Sequence, residues 1–407
     1  MRDGFRHGLL GGVALAGLMA LPGLAMATGF GRTVTLKPYL TGLISMGDDH
    51  CVAQAANTCQ PDNSMSDAFN EPGMMQGYVI NVTWAQLQPA NAASFDPTPI
   101  DQAIATLEAY NAEHPATPMR ALLRVAGGSV APTWVKNLAG GPVTILLRAN
   151  KTQVTVGRFW TGTYQSAWRT LQGMLASRYD GNPLIAEVSN TSCSHQAAEP
   201  YTNPLDSASI VNLFAAGYSN AAFQACLAGS AHDYDAWTTT PIDFDTVKFE
   251  NLNETTKNGQ LHGVYGPLSM PITQTIMQQF RAALGPRAIL ANHSLSDPIK
   301  PSDVPVFQAI TQMGKPVEFQ TASPGVTLSN GTNTGGLGNW GGAIALGIQT
   351  GGSAVEVWPS RLIHGGKPVQ DGWNQMHCAA NVPSSECAGQ PTADLQSWSR
   401  DLIAAAP

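Results

Sequence analysis

The sequence predicts a (β/α)8 barrel, an α/β fold with β-hairpin and loop insertions at the carboxyl-terminal face of the barrel. Eight short β-like segments alternate with longer helix-like segments along the 407 residues, which is the order that builds a parallel sheet covered by helices. Several β-like segments are nearly continuous in Val, Ile and Leu, as expected for strands buried on both faces. An open doubly wound sheet predicts a Gly-rich phosphate turn after its first strand, and the sequence has none there.

The elements follow in order along the chain. Helical spacing of apolar residues is clearest in Ile100–Tyr110, around Trp168 and Leu175, and again from Ile272 to Phe280. The eight predicted strands are Leu36–Ile44, Tyr78–Trp84, Arg120–Ala126, Leu184–Ser189, Asp245–Phe249, Ala288–Asn292, Val317–Thr321 and Ala354–Trp358.

Two insertions follow predicted strands. Pro142–Val156 contains two β-rich runs around a short polar turn, which predicts a hairpin after the third strand. The Gly-rich segment Asn330–Gly342 predicts a loop after the seventh strand. Both lie where strands pass over to helices, the end of a barrel on which functional sites are built.

Composition allows one large domain. The chain is 43% hydrophobic and 12% charged, whereas an average soluble domain has about 25% charged residues. Barrels of this class run from about 250 to more than 400 residues, and the sequence has neither an internal repeat nor an interdomain linker. Residues 28–407 are therefore predicted to form a single barrel domain.

The first 27 residues are typical of an export signal peptide. Arg2 and Arg6 supply positive charge, Leu9–Leu24 is apolar, and Ala25–Ala27 forms a small-residue cleavage site. The alternative is a membrane anchor, but glycines and prolines interrupt the apolar run. We expect a mature start near Thr28, a secreted or periplasmic location, and no stable membrane insertion after cleavage.

The cysteines favour disulfides over metal binding, because their number is even, the chain carries an export signal and no CxxC occurs. Proximity along the chain suggests two pairs, Cys51 with Cys59 and Cys378 with Cys387. That choice leaves Cys193 for Cys226, although other connectivities remain open.

Charge and motifs exclude several classes of function. The formal net charge is −7 and basic clusters are absent, which argues against a nucleic-acid partner. The histidines are scattered without HExxH or HxxEH spacing, so no metal site is predicted. No GxSxG nucleophile motif occurs, and no cofactor is implied. A neutral substrate such as a carbohydrate fits this surface, while the oligomeric state stays open.

Carboxylates at strand ends are the candidate catalytic groups, because glycosidic cleavage generally uses two of them. Glu199 lies in the loop that leaves the fourth strand. The second carboxylate is Glu356 in the eighth strand or Glu318 in the seventh, with Glu187 as a weaker candidate. Glu356 is nearer the exit of its strand, and a glutamate in mid-strand is costly to bury without a partner. Each of these residues could instead cap a helix or form a structural ion pair.

Aromatic and polar residues near the strand exits are candidate substrate-binding groups. Indole rings bury the apolar faces of sugars, although core packing is the alternative role for any single tryptophan. Polar side chains there could bond substrate hydroxyls. The predicted set is Trp84, Trp134, Trp160, Asn190, His195, Asn292, His293, Gln320 and Trp358.

Three segments carry a resemblance to a known family. "YVINVTWAQLQPANAASFDPTPIDQAIATLEAYN", "MRALLRVAGGSVAPTWV" and "FWTGTYQSAWRTLQGMLASRYDGNPLIAEVSNTSCSHQAAEPY" resemble the TIM-barrel β-galactosidases and their relatives in the clan of glycoside hydrolases that uses two glutamates. The resemblance implies Glu199 as general acid/base and Glu318, on the seventh strand, as nucleophile, whereas position within the strand favours Glu356. The Asn that usually precedes the acid/base is Ala198 here, and Asn190 is the nearby strand Asn.

Two functions follow as hypotheses. The first is a secreted glycoside hydrolase, retaining if its two carboxylates lie about 5–5.5 Å apart and inverting if about 6.5–9.5 Å apart. The alternative is a non-catalytic carbohydrate-binding protein on the same barrel, which the departure at Ala198 motivates.

Overall fold

The computed structural model describes residues 35–46, 73–147, 152–195, 199–200, 205–322, 340–357, 363–364, 367–368 and 392–406. The predicted signal peptide, Ala198, Trp358 and four of the cysteines (Cys51, Cys59, Cys378 and Cys387) lie outside the described residues. Most of the predicted Gly-rich loop lies outside them as well.

The strands and helices alternate as the sequence predicts. The strands are β1 (Gly42–Ser45), β2 (Met75–Thr83), β3 (Arg120–Ala126), β4 (Val143–Leu147), β5 (Thr152–Val156), β6 (Ile185–Ser189), β7 (Ile242–Asp245), β8 (Phe249–Lys257), β9 (Gln260–Ser269), β10 (Ala288–Leu295), β11 (Val317–Thr321), β12 (Ala354–Val357), β13 (Ile363–His364) and β14 (Lys367–Pro368). The helices are α1 (Trp84–Leu87), α2 (Thr98–Glu113), α3 (Thr133–Lys136), α4 (Gly162–Tyr179), α5 (Ser207–Ala215), α6 (Asn220–Gly229), α7 (Met270–Leu284), α8 (Val304–Met313), α9 (Trp340–Gln349) and α10 (Thr392–Ala404).

The central sheet is a closed barrel of parallel strands in the order β1-β2-β3-β6-β7-β10-β11-β12, and β12 pairs with β1 to close the ring. Each strand therefore pairs with its sequence neighbours in the barrel, which is the topology of a (β/α)8 barrel. The predicted fold class is confirmed. All carboxyl ends of the strands meet at one face, so residues far apart in sequence come together there.

All eight predicted strands overlap barrel strands, the fifth at Asp245 alone, and Arg120–Ala126 and Val317–Thr321 have the predicted bounds. The prediction for the fifth strand, Asp245–Phe249, is wrong in position, because β7 ends at Asp245. The chain leaves the barrel directly after this residue: the Thr246 amide donates to the Ala291 carbonyl, and Phe249 already begins β8.

Three two-stranded antiparallel sheets lie outside the barrel in the described part of the chain, and the shortest of them pairs β13 with β14. β4 pairs with β5, which confirms the hairpin predicted within Pro142–Val156. β8 pairs with β9 and was not predicted. Asn258 and Gly259 form its turn with φ angles of 52° and 75°, the left-handed backbone that Asn-Gly hairpin turns require.

The apolar core lies between the barrel and its helices. Helix α4 shows how the sequence builds it, since Trp168, Leu171 and Leu175 recur at helical spacing and are buried. A smaller cluster fills part of the barrel interior and consists of Leu40, Ile44, Val79, Leu122, Ala186 and Ala354. The rest of the interior is polar, and this polar part contains the candidate site. No helix in the described part of the chain is long and apolar enough to cross a bilayer.

Candidate active site

Glu199 lies beyond the end of β6 and accepts a hydrogen bond from a histidine of another strand. Its Oε1 is 3.3 Å from Nδ1 of His293, which belongs to β10. The side chain of Glu199 is 19% exposed and that of His293 is 6% exposed. Glu199 is therefore a carboxylate at the barrel mouth that solvent or a ligand can reach.

Asp245, the last residue of β7, is the second carboxylate beside His293. Its Oδ1 accepts from the backbone N–H of His293 at 2.9 Å, and its Oδ2 lies 4.0 Å from Nδ1 of the imidazole. Within the described residues, neither Oδ2 of Asp245 nor Nε2 of His293 has a hydrogen-bond partner. The imidazole thus stands between two acids and keeps one ring nitrogen for a further contact.

Electrostatics assign the proton of this cluster to the imidazole. Burial disfavours a charged His293, but the charge of Asp245 and the hydrogen bond to Glu199 outweigh it and raise the pKa to about 9. Burial acts to raise the pKa of Glu199, yet the hydrogen bond and charge of His293 outweigh it, so that this pKa is lowered. Burial raises the pKa of Asp245 to about 7, against the attraction of His293.

Glu356 is held deeper in the barrel by an arginine from the opposite side of the ring. Nη2 of Arg124, in β3, donates to Oε1 of Glu356 at 2.6 Å, and both side chains are 3% exposed. Nε of Arg124 donates to Oγ of Ser189 at 3.3 Å. Burial lowers the pKa of Arg124, but Glu356 and Asp243 outweigh it and raise this pKa, so the guanidinium stays charged.

Asp243 lies two residues before Asp245 on β7 and is 1% exposed. Burial raises its pKa to about 6, although the charge of Arg124 opposes the shift. The register places Ser189 of β6 opposite Asp243. The charge of Arg124 thus acts on both Asp243 and Glu356, and Glu356 is the carboxylate that it contacts directly.

Glu187 and Glu318 form a separate acid pair inside the barrel, 0% and 3% exposed. Glu318 pairs in register with Ala354, whereas Gln320 pairs with Glu356, so Glu318 lies nearer the amino-terminal end than Glu356 does. Burial raises the pKa of Glu187 to about 7, and burial together with Glu187 raises the pKa of Glu318 well above its ordinary value. Two such carboxyls are compatible at close range because one of them carries a proton.

Two of the predicted sugar-stacking tryptophans lie in the core. Trp84 is 0% exposed, packs edge-on against Trp168 at 4.9 Å, and donates its indole N–H to Gln88. Trp160 is 6% exposed and packs against aromatic residues of its surroundings. Trp134 is only partly buried, and its indole donates to the Gln88 carbonyl.

Some of the predicted polar residues lie in the candidate site, and others hold the loops at the strand ends in place. Asn190 donates to Ser230 and accepts from the Ser192 amide, while Asn292 donates to the Thr246 carbonyl. Both amide side chains thus hold loops at strand ends. The other two, His195 at 0% and Gln320 at 2% exposure, are fully buried, and Gln320 lies beside Glu356 in the register.

The loop that carries Glu199 is covalently fixed. Cys193 forms a disulfide with Cys226 of α6, with their Cα atoms 6.0 Å apart, which confirms this one predicted pair. Cys193 itself has a φ of 66°, a left-handed backbone that is uncommon for a residue with a side chain. The bond therefore anchors a sharp turn between the end of β6 and Glu199.

Arg124, Asp243 and Asp245 were not predicted as site residues. Arg124 shares the inward face of its strand with Leu122 at a spacing of two, and a cation in such an apolar strand signals a buried partner. The segment Ile242–Asp245 alternates apolar and acidic residues, a strand with one polar face. Among the described residues, no group of three or more His, Cys, Asp or Glu side chains is arranged to hold a metal ion.

No protein-family model matches the sequence, and no curated protein matches it either. Solved structures with similar backbones include the β-galactosidase from Bacillus circulans sp. alkalophilus, with 13% identity, a TM-score of 0.49, and coverage of 89% of this chain and 56% of that one. An endo-β-1,4-glucanase from Xanthomonas axonopodis pv. citri has 14% identity, a TM-score of 0.48, and coverage of 90% and 99%. The catalytic domain of the β-amylase from Paenibacillus polymyxa has 9% identity, a TM-score of 0.47, and coverage of 92% and 100%. The chain thus spans about half the length of that β-galactosidase, and the assignment of its fold rests on its own strand topology.

Proposed function

We propose that this chain is an exported glycoside hydrolase that cleaves O-glycosidic bonds of an oligo- or polysaccharide with two carboxylates. One observation carries the proposal: the two carboxylates have different partners. Glu199 at the barrel mouth accepts a hydrogen bond from the protonated His293, while Glu356 lies deeper and contacts Arg124. Two carboxylates in such different environments are what acid-assisted glycosidic cleavage requires.

Glu356 is the carboxylate that faces the anomeric carbon. The buried cation of Arg124 stabilises negative charge on it at 2.6 Å. It attacks the anomeric carbon or stabilises the positive charge that develops there as the bond to the leaving oxygen breaks. Glu318 takes no part in bond cleavage in this proposal, because its raised pKa keeps it neutral beside Glu187.

Glu199 is the group that protonates the leaving oxygen. At neutral pH the proton resides on Nδ1 of His293, 3.3 Å from Oε1 of Glu199. It passes along this hydrogen bond and through Glu199 to the glycosidic oxygen as the C–O bond breaks. A water molecule then completes hydrolysis and returns a proton to the pair.

A carbohydrate partner fits the remaining features of the site. Trp134, partly buried in α3, and Trp358, which follows β12, remain stacking residues predicted from their positions in the sequence. The disulfide between Cys193 and Cys226 supports an oxidising compartment and hence export. The proposed reaction requires no cofactor.

The test is the variant Glu199→Gln assayed on a panel of aryl glycosides and polysaccharides. Because the amide holds no transferable acid proton, turnover of an accepted substrate is expected to fall by about 10²–10⁴-fold. Unfolding followed by circular dichroism should remain unchanged. The matched control is Glu254→Gln, an exposed glutamate of β8. Full activity of Glu199→Gln would remove this residue from the mechanism, and binding of sugars by the wild-type chain without release would favour the non-catalytic carbohydrate-binding alternative.

A further inference from the structure

An apolar cavity of about 380 Å³ lies beside the barrel wall, where β7 continues into the β8–β9 hairpin. Its apolar wall is formed by Phe223, Leu227, Phe244, Phe249, Ile276 and Met277, which come from α6, β7, β8 and α7, and polar residues that include Thr246, Glu250 and Thr273 also line it. The volume falls within the range of about 300–1,000 Å³ that is typical of small-molecule sites. The folded chain thus keeps an apolar space between two helices and a hairpin.

One edge of this cavity touches the candidate active site. Asp245 lines the cavity and also bonds the His293 amide, and Pro200, the residue after Glu199, lines it too. An acid that protonates a leaving oxygen lies on the side of the leaving group. A compartment that begins at these two residues is therefore placed to receive the part of the substrate that departs.

Charged residues line the cavity on the side that faces solvent. Lys248 and Asp303 form an ion pair at 3.1 Å among its lining residues, with side chains 13% and 18% exposed. Leu268 of β9 lines the cavity and is 46% exposed, so it lies where the space meets solvent. The polar residues that line it include the ion-paired Lys248 and Asp303, and the six apolar side chains of its wall suit hydrocarbon.

From this geometry we propose that the cavity is a subsite for an apolar aglycone, so that a glycoside whose leaving group is an alkyl chain is a substrate in addition to the oligo- or polysaccharide proposed above. This inference rests on the proposed function for the position of the bond that breaks. The binding of the alkyl group itself depends only on the cavity.

The experiment is calorimetric titration of the intact chain with n-alkyl β-glucosides from butyl to octyl, each below its micelle concentration. The differences between successive members cancel the contribution of the sugar. Each methylene transferred into the cavity should tighten binding by up to about fourfold, the equivalent of ~0.8 kcal/mol. Filling the cavity with Ile276→Trp, or placing a charge at its mouth with Leu268→Asp, should abolish this dependence on chain length.

The matched control is Leu261→Asp, on the same strand as Leu268, 57% exposed and not among the residues that line the cavity. It should bind the alkyl series as the wild type does, and the Leu268→Asp chain should keep the wild-type unfolding midpoint. Absence of any chain-length dependence in the wild type would overturn the subsite, as would a dependence that survives both cavity variants. Alkyl binding with no sugar released from any glycoside would overturn the proposed hydrolysis but not the subsite. Equal rates of hydrolysis of methyl and octyl glycosides would overturn the subsite but not the proposed hydrolysis.

Discussion

At the scale of single residues, the barrel interior shows how a charged pair is kept inside a protein. Arg124 and Glu356 are both 3% exposed, and the penalty of removing a lone charge from water is several kcal/mol. Their contact at 2.6 Å and the bond from Arg124 to Ser189 offset that penalty. Such a pair contributes little to stability, and its consequence is a carboxylate held in place beside a buried cation.

His293 determines the alkaline limit of the proposed activity. Its pKa of about 9 lies above the ordinary histidine value of 6.5, so the cluster keeps its proton below this range and loses it as pH rises through about 9. In His293→Asn the amide keeps a donor near Nδ1 but carries no charge. Burial then raises the pKa of Glu199 against less opposition, chiefly from the charge of Arg124, and the alkaline limb of kcat/KM should move to lower pH.

The pH profile of kcat/KM measures this shift, since it reports the ionisations of the free enzyme. His232→Asn is the matched control, because His232 is 59% exposed and lies on the surface. An alkaline limb that stays near pH 9 in His293→Asn would show that the imidazole does not hold the proton used in the reaction.

At the scale of elements, the barrel strands were predictable because burial on both faces leaves a continuous apolar signal, as in Val317–Thr321. The fifth strand was displaced for the opposite reason. In Ile242–Asp245 the inward positions are acidic, so only half of the residues in this strand are apolar. The neighbouring Val247 and Phe249 therefore moved the predicted strand toward the carboxyl terminus. The β8–β9 hairpin could have been predicted from Asn258-Gly259, because Asn-Gly is strongly preferred in two-residue hairpin turns.

The disulfide between Cys193 and Cys226 is expected to stabilise the loop that carries Glu199. It closes a loop with a sequence separation of 33 residues. The double variant Cys193→Ala/Cys226→Ala should lower the free energy of unfolding by about 2–4 kcal/mol. It should also lower activity, because Glu199 then loses its tether to α6.

Urea unfolding with and without a reducing agent provides the measurement. Reduction of the double variant isolates any contribution from the other four cysteines, and reduction of the wild type should reproduce at least the loss seen in the variant. Equal unfolding free energies for variant and wild type in the absence of reductant would contradict the proposed role of the bond.

At the scale of the whole molecule, the sequence predicted the closed barrel and a position of Glu356 nearer the strand exit than Glu318, but not the partners of these acids across the ring. Glu318 and Glu356 each lie in an apolar strand, and neither strand's sequence indicates which side chain contacts its acid. Their depths differ by the register between β11 and β12, and the partner of Glu356 is an arginine on a strand 232 residues earlier. Such pairing across a closed barrel leaves no local pattern, because distant strands meet only after the ring closes.

The buried acids make the stability of the whole barrel depend on pH. A carboxyl whose pKa is raised on folding stabilises the protein below its unfolded pKa, and this contribution is lost as pH rises through the folded pKa. For Glu187 these values are 4.5 and about 7, so the free energy of unfolding should fall between about pH 5 and pH 8, by roughly 3 kcal/mol for this group. Asp243 and Asp245, with pKa values raised to about 6 and about 7, act in the same direction.

Glu187→Gln keeps an acceptor for the Leu40 amide and a donor for Glu318 while removing one titration, so its unfolding free energy should fall less steeply over this range. Urea unfolding at pH 5, 6.5 and 8 tests this against the control Glu254→Gln, which should follow the wild type. A wild-type stability that rises or stays level from pH 5 to 8, or a Glu187→Gln slope as steep as that of the wild type, would refute the buried acid pair as its source.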